Sequence, residues 1–332
     1  MDAQYVELAN RIGLGQSERI PQLFQMIADV GEAELLLALP GDAPTMAKKL
    51  NCPVEDVAAM LNTLFTKGLV FPSGKTDPPT YRMCRDFVQF HDATILWPEA
   101  PRAFLDLLQE FMEAEWPQVA ERSRQIFPRP FTRVIPVVVT VPATTHVLAF
   151  EDVREIIENA KTIAVTKCTC RLTAHKCDKE LEACIQINRA ADYSLTRGTG
   201  RRLSKEEALD LVRRCEEEGL IHVVMNKQNV DHFICNCCAC CCQTMPVLIE
   251  KGIQVVDPSR FAAQVDPDLC TACETCVDRC FFGAIKVDGE ETAKVDTAKC
   301  LGCGLCQVSC PTEAISMTQV RGRDFVPEKL FG

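Results

Sequence analysis

Two cysteine runs set thirty residues apart constrain this chain more than any other feature of it. Cys270–x2–Cys273–x2–Cys276–x3–Cys280 returns as Cys300–x2–Cys303–x2–Cys306–x3–Cys310, followed by Pro311. The chain has 332 residues and 21 cysteines, most of them in close groups after position 167. A disulfide framework suits a small secreted chain. This chain is not small, and its start, MDAQYVELANR, is too polar for the apolar core of a secretory signal. Thiolates ligating metal fit the spacing better, in the reducing cytoplasm of an anaerobic cell. Zinc is the competing reading, but zinc favours separated Cys–x2–Cys knuckles over one continuous run.

The repeat resembles the cluster-binding motifs of two-cluster bacterial-type ferredoxins. In such a run a tight loop presents three thiolates, and the fourth cysteine turns toward the neighbouring cluster. The resemblance covers about residues 261–332 and implies a ferredoxin-like fold with two [4Fe–4S] clusters. It implies that Cys270, Cys273, Cys276 and Cys310 hold one cluster, and Cys300, Cys303, Cys306 and Cys280 the other. Gly283–Ala284–Ile285 and Glu313–Ala314–Ile315 stand at matching places after each run, as strands. Phe281 departs from the pattern where proline often follows the fourth cysteine, and no ligand is lost by it. The function implied is low-potential, one-electron transfer.

Ten further cysteines lie upstream in two groups. Cys168, Cys170, Cys177 and Cys184 form one, and Cys235, Cys237, Cys238, Cys240, Cys241 and Cys242 the other. No single metal accepts ten thiolates, so we expect a third cysteine-ligated site, an iron–sulfur cluster that draws a subset from both groups. A second extra cluster, structural zinc and redox-active thiols are the alternatives. Neighbouring side chains of an extended segment point to opposite faces. That would put Cys238, Cys240 and Cys242 on one side, and Cys235, Cys237 and Cys241 on the other. Lys167 and Arg171 flank the first pair and would offset thiolate charge, and His175 is a nitrogen ligand to consider. The segment is similar to an uncharacterised family of anaerobic cysteine-rich iron–sulfur proteins. Cys52, Cys84 and Cys215 read as plain structural thiols.

The patterns upstream predict a multidomain α+β chain. Pro53 starts a helix whose apolar stripe is Val57, Met60, Leu61, Leu64 and Phe65, and Gly68 ends it. Leu69–Phe71 and Tyr81–Met83, about the turn-forming Pro72–Ser73–Gly74, then predict a hairpin. This order resembles a winged helix, and among such domains the dimerisation modules that precede some methyltransferases. Residues 84–133 read as mostly helical and 134–150 as an extended, β-branched connection. A helix over Glu151–Ala160 leads to a strand over Ile163–Val165. Ser204 and Glu207 stand in capping-box spacing for a helix closed at Gly219, and strands follow over Ile221–Met225 and His232–Ile234. The expected domains are a winged-helix-like 1–85, a helical and extended connector 86–149, a cysteine-rich α/β metal-binding domain 150–260 and a ferredoxin domain 261–332.

Charge limits the partners. The net charge is -10, and residues 1–80 hold six Lys or Arg against ten Asp or Glu. The helix that would enter a DNA groove offers Glu55, Asp56, Asn62 and Thr63 with Lys67 as its sole cation, which argues against phosphate contacts and for homodimerisation. Arg122, Arg124, Arg129 and Arg133, and again Arg197, Arg201 and Arg202, are the basic clusters: a solvated face, or a site for an anionic ligand. No nucleotide-binding fingerprint is present, and the apolar stretch at 134–150 is too short and polar to span a membrane. The expected activity is relay of electrons through the ferredoxin clusters to the third site or to a redox partner protein, as an oxidoreductase component. A redox- or metal-sensing transcriptional regulator is the first alternative. An enzyme binding substrate at an open cluster position in the middle domain is the second.

Overall fold

A computed structural model describes residues 2–74, 77–137, 148–149, 151–289 and 291–330. The chain divides into two compact units, Met1–Trp116 with Leu172–Ala174, and Pro117–Arg171 with His175–Gly332.

In the first unit, local sequence signals place the helices. They are α1 (Ala3–Arg11), α2 (Ile20–Ile27), α3 (Val30–Ala38), α4 (Ala43–Leu50) and α5 (Val54–Lys67). Asp29 accepts from the Glu32 amide at 2.8 Å and Glu32 accepts from the Asp29 amide at 3.0 Å, so α3 starts in a capping box. Pro53 precedes α5, Val57, Leu61 and Leu64 are buried along it, and Gly68 closes it with φ 84°. A hairpin follows, β1 (Val70–Ser73) against β2 (Thr80–Met83), in the register Val70↔Met83 to Ser73↔Thr80. The first strand thus runs on through Ser73. Residues 87–114, read from sequence as part of a connector, form α6 (Phe87–Thr94) and α7 (Arg102–Ala114) within this unit. Their aromatic rings supply its core: Phe90 lies 4.7 Å from Phe24, and Phe87 lies 4.8 Å from Phe111 and 5.0 Å from Trp116. Such tilted pairs add to simple burial.

In the second unit α8 (Trp116–Ile126) leads to β3 (Thr132–Val134), where the chain joins a sheet rather than spanning a gap. Of the connection expected over 134–150, residues 138–147 and 150 lie outside the described residues. The elements that follow are α9 (Val153–Glu158), β4 (Ile163–Thr166), α10 (Thr169–Ala174, whose last three residues fall to the first unit), β5 (Cys184–Ile187), α11 (Arg189–Thr196), β6 (Gly200–Arg202), α12 (Lys205–Glu217), β7 (Ile221–Met225), β8 (Phe233–Cys237), α13 (Met245–Lys251) and β9 (Val256–Asp257). The seven strands order as β6-β4-β5-β8-β7-β3-β9. Neighbours are antiparallel except β3 and β9, which run parallel. The capping box of α12 is formed in both directions, Glu207 N to Ser204 Oγ at 3.1 Å and Ser204 N to Glu207 Oε2 at 2.7 Å.

The cysteine repeat then folds with internal symmetry. β10 (Phe261–Val265) pairs antiparallel with β13 (Ile315–Gln319), and β11 (Ile285–Lys286) with β12 (Lys294–Val295). Each run ends in a short helix, α14 (Thr275–Arg279) or α15 (Leu305–Val308). Gly302 is required where it stands. Its φ is +67°, and a side chain there would run into the Phe261 carbonyl and the Ser259 hydroxyl. Two charged pairs stand just ahead of the repeat, at Arg260 and at Asp257 of β9. Arg260 and Glu151, each 1 % exposed, pair at 2.8 Å, and Asp257 takes Arg129 at 2.6 Å and Asn226 at 2.8 Å. A buried pair of this kind matters mostly because breaking it strands a charge.

Candidate metal centres

The ferredoxin repeat forms two hollows, one lined by Cys270, Cys273, Cys276 and Cys310, and the other by Cys280, Cys300, Cys303 and Cys306. Each therefore receives three thiols from one run and the last thiol of the other. The folding reason lies in α14 and α15, which carry the fourth cysteine of each run past its own loop. All eight thiols are free. Two of them accept backbone hydrogen bonds, Cys280 from Ala284 N and Cys270 from Ala293 N, both at 3.4 Å. The Thr275 hydroxyl and amide hold the Cys273 thiol below its ordinary range, whereas burial pushes Cys303 up to about 12. Cys273 is exposed, while Cys300 and Cys306 are buried. Four converging thiols, an amide donor aimed at sulfur and mostly apolar walls, with Ala and Ile in both, make each a fit for a thiolate-held iron–sulfur cluster.

The ten middle thiols form two sets. Six make a closed ring of neighbouring thiols, running Cys168, Cys170, Cys242, Cys237, Cys235, Cys184 and back to Cys168. The ring draws three members from each sequence group. Within it Cys170 and Cys184 hold the Cys168 thiol well below its ordinary range, and Cys170 and Cys237 do the same to Cys242. The remaining four, Cys177, Cys238, Cys240 and Cys241, have all their sulfurs within 4.8 Å of one another. The alternation expected from an extended run therefore fails after Cys237. β8 ends there, and residues 239–241 form a turn, so Cys241 joins Cys238 and Cys240 while Cys242 joins Cys235 and Cys237. Strand periodicity ceases to apply once the backbone turns.

Arg171 serves both sets. It is buried, donates to the Asn236 carbonyl at 3.1 and 3.2 Å and to the Cys238 sulfur, and lies close to Cys168 and Cys184. Burial opposes its charge, but the sulfurs outweigh burial and hold the guanidinium above its ordinary value. Lys167 is exposed instead. His175, exposed at the C-cap of α10, belongs to neither sulfur set among the described residues. The histidine that sequence reasoning missed is His222. It is fully buried on β7, 2.6 Å from Asn236 Oδ1 and 3.0 Å from Glu216 Oε1. Asn236, set between Cys235 and Cys237 on β8, links that histidine to Arg171. The register His222↔Asn236 makes the contact, and no spacing in the sequence announces it.

Four members of the basic clusters are taken up within the fold. Arg129 pairs with Asp257, Arg133 is buried, Arg197 covers the Tyr193 ring, and Arg201 meets Glu182 and Glu207. Cys84 and Cys215 are buried thiols, the latter pushed up to about 12 by burial, and Cys52 is half-buried.

One apolar core joins the two metal regions. Val134, Val137, Ile221, Val223, Met245, Val256, Leu301 and Leu305 form it, together with Cys242. Cys235 and Cys237 of the ring pack against it, as do Cys303, Phe281 and Phe282 of the repeat. The Val137 amide also donates to the Cys303 carbonyl at 3.0 Å.

The arrangement defines an iron–sulfur protein, and comparison with known proteins narrows the class. Residues 262–317 match the family described as 4Fe-4S dicluster domain. Archaeal-type glutamate synthase [NADPH] of Thermotoga maritima is 39 % identical over 85 residues, 23 % of this chain and 16 % of that protein. Dihydromethanopterin reductase (acceptor) of Methanosarcina mazei is 38 % identical over 73 residues, 21 % of this chain and 29 % of that protein. Pyruvate synthase subunit PorD of Methanocaldococcus jannaschii is 39 % identical over 79 residues, 23 % of this chain and 90 % of that subunit. The chain thus spans less than a third of the first of these relatives and nearly all of the small one. Through its C-terminal domain, the chain belongs to the ferredoxin-type 4Fe-4S dicluster family. No helix among the described residues is long and apolar enough to cross a membrane.

Proposed function

We propose that this chain is an electron-transfer component of an oxidoreductase in the cytoplasm of an anaerobe, relaying low-potential electrons from the ferredoxin domain to a third cysteine-ligated site. Cys270, Cys273, Cys276 and Cys310 would hold one [4Fe–4S] cluster, and Cys300, Cys303, Cys306 and Cys280 the other. Once bound, such clusters supply one-electron carriers whose potential is set by charge, hydrogen bonds and exposure. The six-thiol ring is the third site, an iron–sulfur centre ligated from both cysteine groups. The single observation that carries the relay is the shared core, which packs Cys303 and the ring's Cys235, Cys237 and Cys242 around the same apolar side chains. That core excludes water from the gap and keeps the two thiol sets at a constant separation. Exposed Cys273 marks the side from which a donor protein approaches.

The first unit reads as a winged-helix-like dimerisation module. Supporting this over a regulator's DNA-binding head is the fate of Lys67, the one cation of α5. It lies 2.7 Å from Glu32 and over the Trp97 ring, and so is engaged within its own unit. Phosphate contacts, which supply most non-specific DNA affinity, would have to come from elsewhere.

The relay is tested with Cys306→Ala in the full chain, reduced by a low-potential donor protein and sampled by freeze-quench electron paramagnetic resonance. The expected result is that the ring centre keeps its iron but loses most of its reduction rate. Unchanged reduction of the ring centre in that variant would overturn the relay.

A further inference from the structure

We infer that Cys177, Cys238, Cys240 and Cys241 form a mononuclear site for one thiophilic divalent ion, zinc or ferrous iron, separate from the six-thiol ring. The inference deepens the reading of the middle domain as a metal domain and does not depend on the relay.

The distances between sulfurs decide the nuclearity. Cys177 Sγ and Cys240 Sγ each lie 3.7 Å from Cys241 Sγ, and all four sulfurs fall within 4.8 Å of one another. A tetrahedral ion with metal–sulfur bonds of about 2.3 Å sets its thiolates about 3.8 Å apart. A cubane places four irons and four sulfides between its cysteines and drives their sulfurs out of mutual contact. Among the described residues, this is the one group of three or more ligand-type side chains drawn so close. The two four-thiol sets of the ferredoxin repeat are not, as cluster-sized hollows require.

The local chain is built like a metal knuckle. Cys238 and Cys241 are in Cys–x2–Cys spacing, and the Cys241 amide donates back to the Cys238 sulfur at 3.3 Å. The Lys179 amide donates to Cys177, and the Lys176 backbone bonds Cys241. Arg171, buried, donates to Cys238 and offsets part of the charge that four thiolates gather around one divalent ion. Cys177 comes from the loop after α10 and the other three from the turn after β8. An ion held there clips the two segments together, and each segment also delivers thiols to the ring. The ion's role is therefore structural, holding the ring's two halves in register.

The test uses the full chain purified anaerobically, with metals and acid-labile sulfide counted per chain and native mass spectrometry on the intact holoprotein. The expected wild type carries one zinc, or one iron without matching sulfide, beyond the cluster iron. Zinc or iron in that count identifies the ion. A Cys177→Ser/Cys240→Ser variant should lose that one equivalent and keep its cluster iron and sulfide. Cobalt(II) loaded into the wild type should show the spectrum of a tetrahedral tetrathiolate, lost in the variant. Loss of about four iron with matching sulfide would overturn the inference, since the four thiols would then belong to a cubane. So would a wild type with no ion outside its clusters, and this outcome is read even if the variant fails to fold. Absence of the about eight ferredoxin irons from the wild type would instead overturn the reading of the C-terminal domain, while the four-thiol site is still counted separately.

Discussion

The ferredoxin repeat and the cysteine-rich middle present thiols at similar density, yet they organise them in opposite ways. In the repeat, each run is one loop and one short helix, and the two hollows follow from that local geometry with a single exchange of cysteines. In the middle, no set is local. The ring takes Cys168, Cys170 and Cys184 from one sequence group and Cys235, Cys237 and Cys242 from the other, and the four-thiol site pairs Cys177 with the turn after β8. A repeat writes its site into its spacing, whereas a sheet assembles its site from strand ends distant in sequence.

The largest expected effect on that contrast comes from the ring. Cys237→Ser should remove the ring's metal and its sulfide while the ferredoxin signals in the reduced protein persist, as metal analysis with paramagnetic resonance would report. Loss of both together would mean that the two regions are one centre in metal loading, and the comparison would collapse. Next comes their common core. Leu305 is 1 % exposed within it, and Leu305→Ala should lower stability by about 2–5 kcal/mol in denaturant or thermal unfolding. A cost well under about 1 kcal/mol would show that the site collapses and the regions are less firmly joined than the packing indicates. The smallest effect is confined to the middle. Ser204→Ala removes the cap of α12, which carries Glu216 to His222, and should cost about 1 kcal/mol with metal content unchanged. A fall in ring metal on that change would show that the Glu216–His222–Asn236 chain supports the ring itself.

Much of the fold was legible because it rests on short-range chemistry. Pro53 and Gly68 bracket α5, Ser204 and Glu207 start α12, and the strand expected over Ile221–Met225 has those bounds. The strand expected at His232–Ile234 instead runs Phe233–Cys237, because pairing with β7 and β5 extends it into the cysteine run. Residues 87–114 carry helical periodicity, and the apolar face at Phe104, Leu108 and Phe111 was legible in it, but not that Phe87 and Phe90 join Phe111 in the core of the first unit. The basic clusters invited an anionic ligand because charge counting cannot see Asp257 beside Arg129 or Glu182 beside Arg201.

By itself the sequence determined the repeat, its eight cysteines, the ferredoxin resemblance and the acidic character of the front end, since all of these are properties of spacing or sum. Tertiary structure alone decided how ten thiols divide into six and four, that Arg171 lies buried between the two sets, and that His222 and Glu216 stand behind them. The reason is that a thiol's partners depend on where the backbone stops being extended and on which strands become neighbours. Both are settled by long-range pairing and burial, which no local spacing encodes.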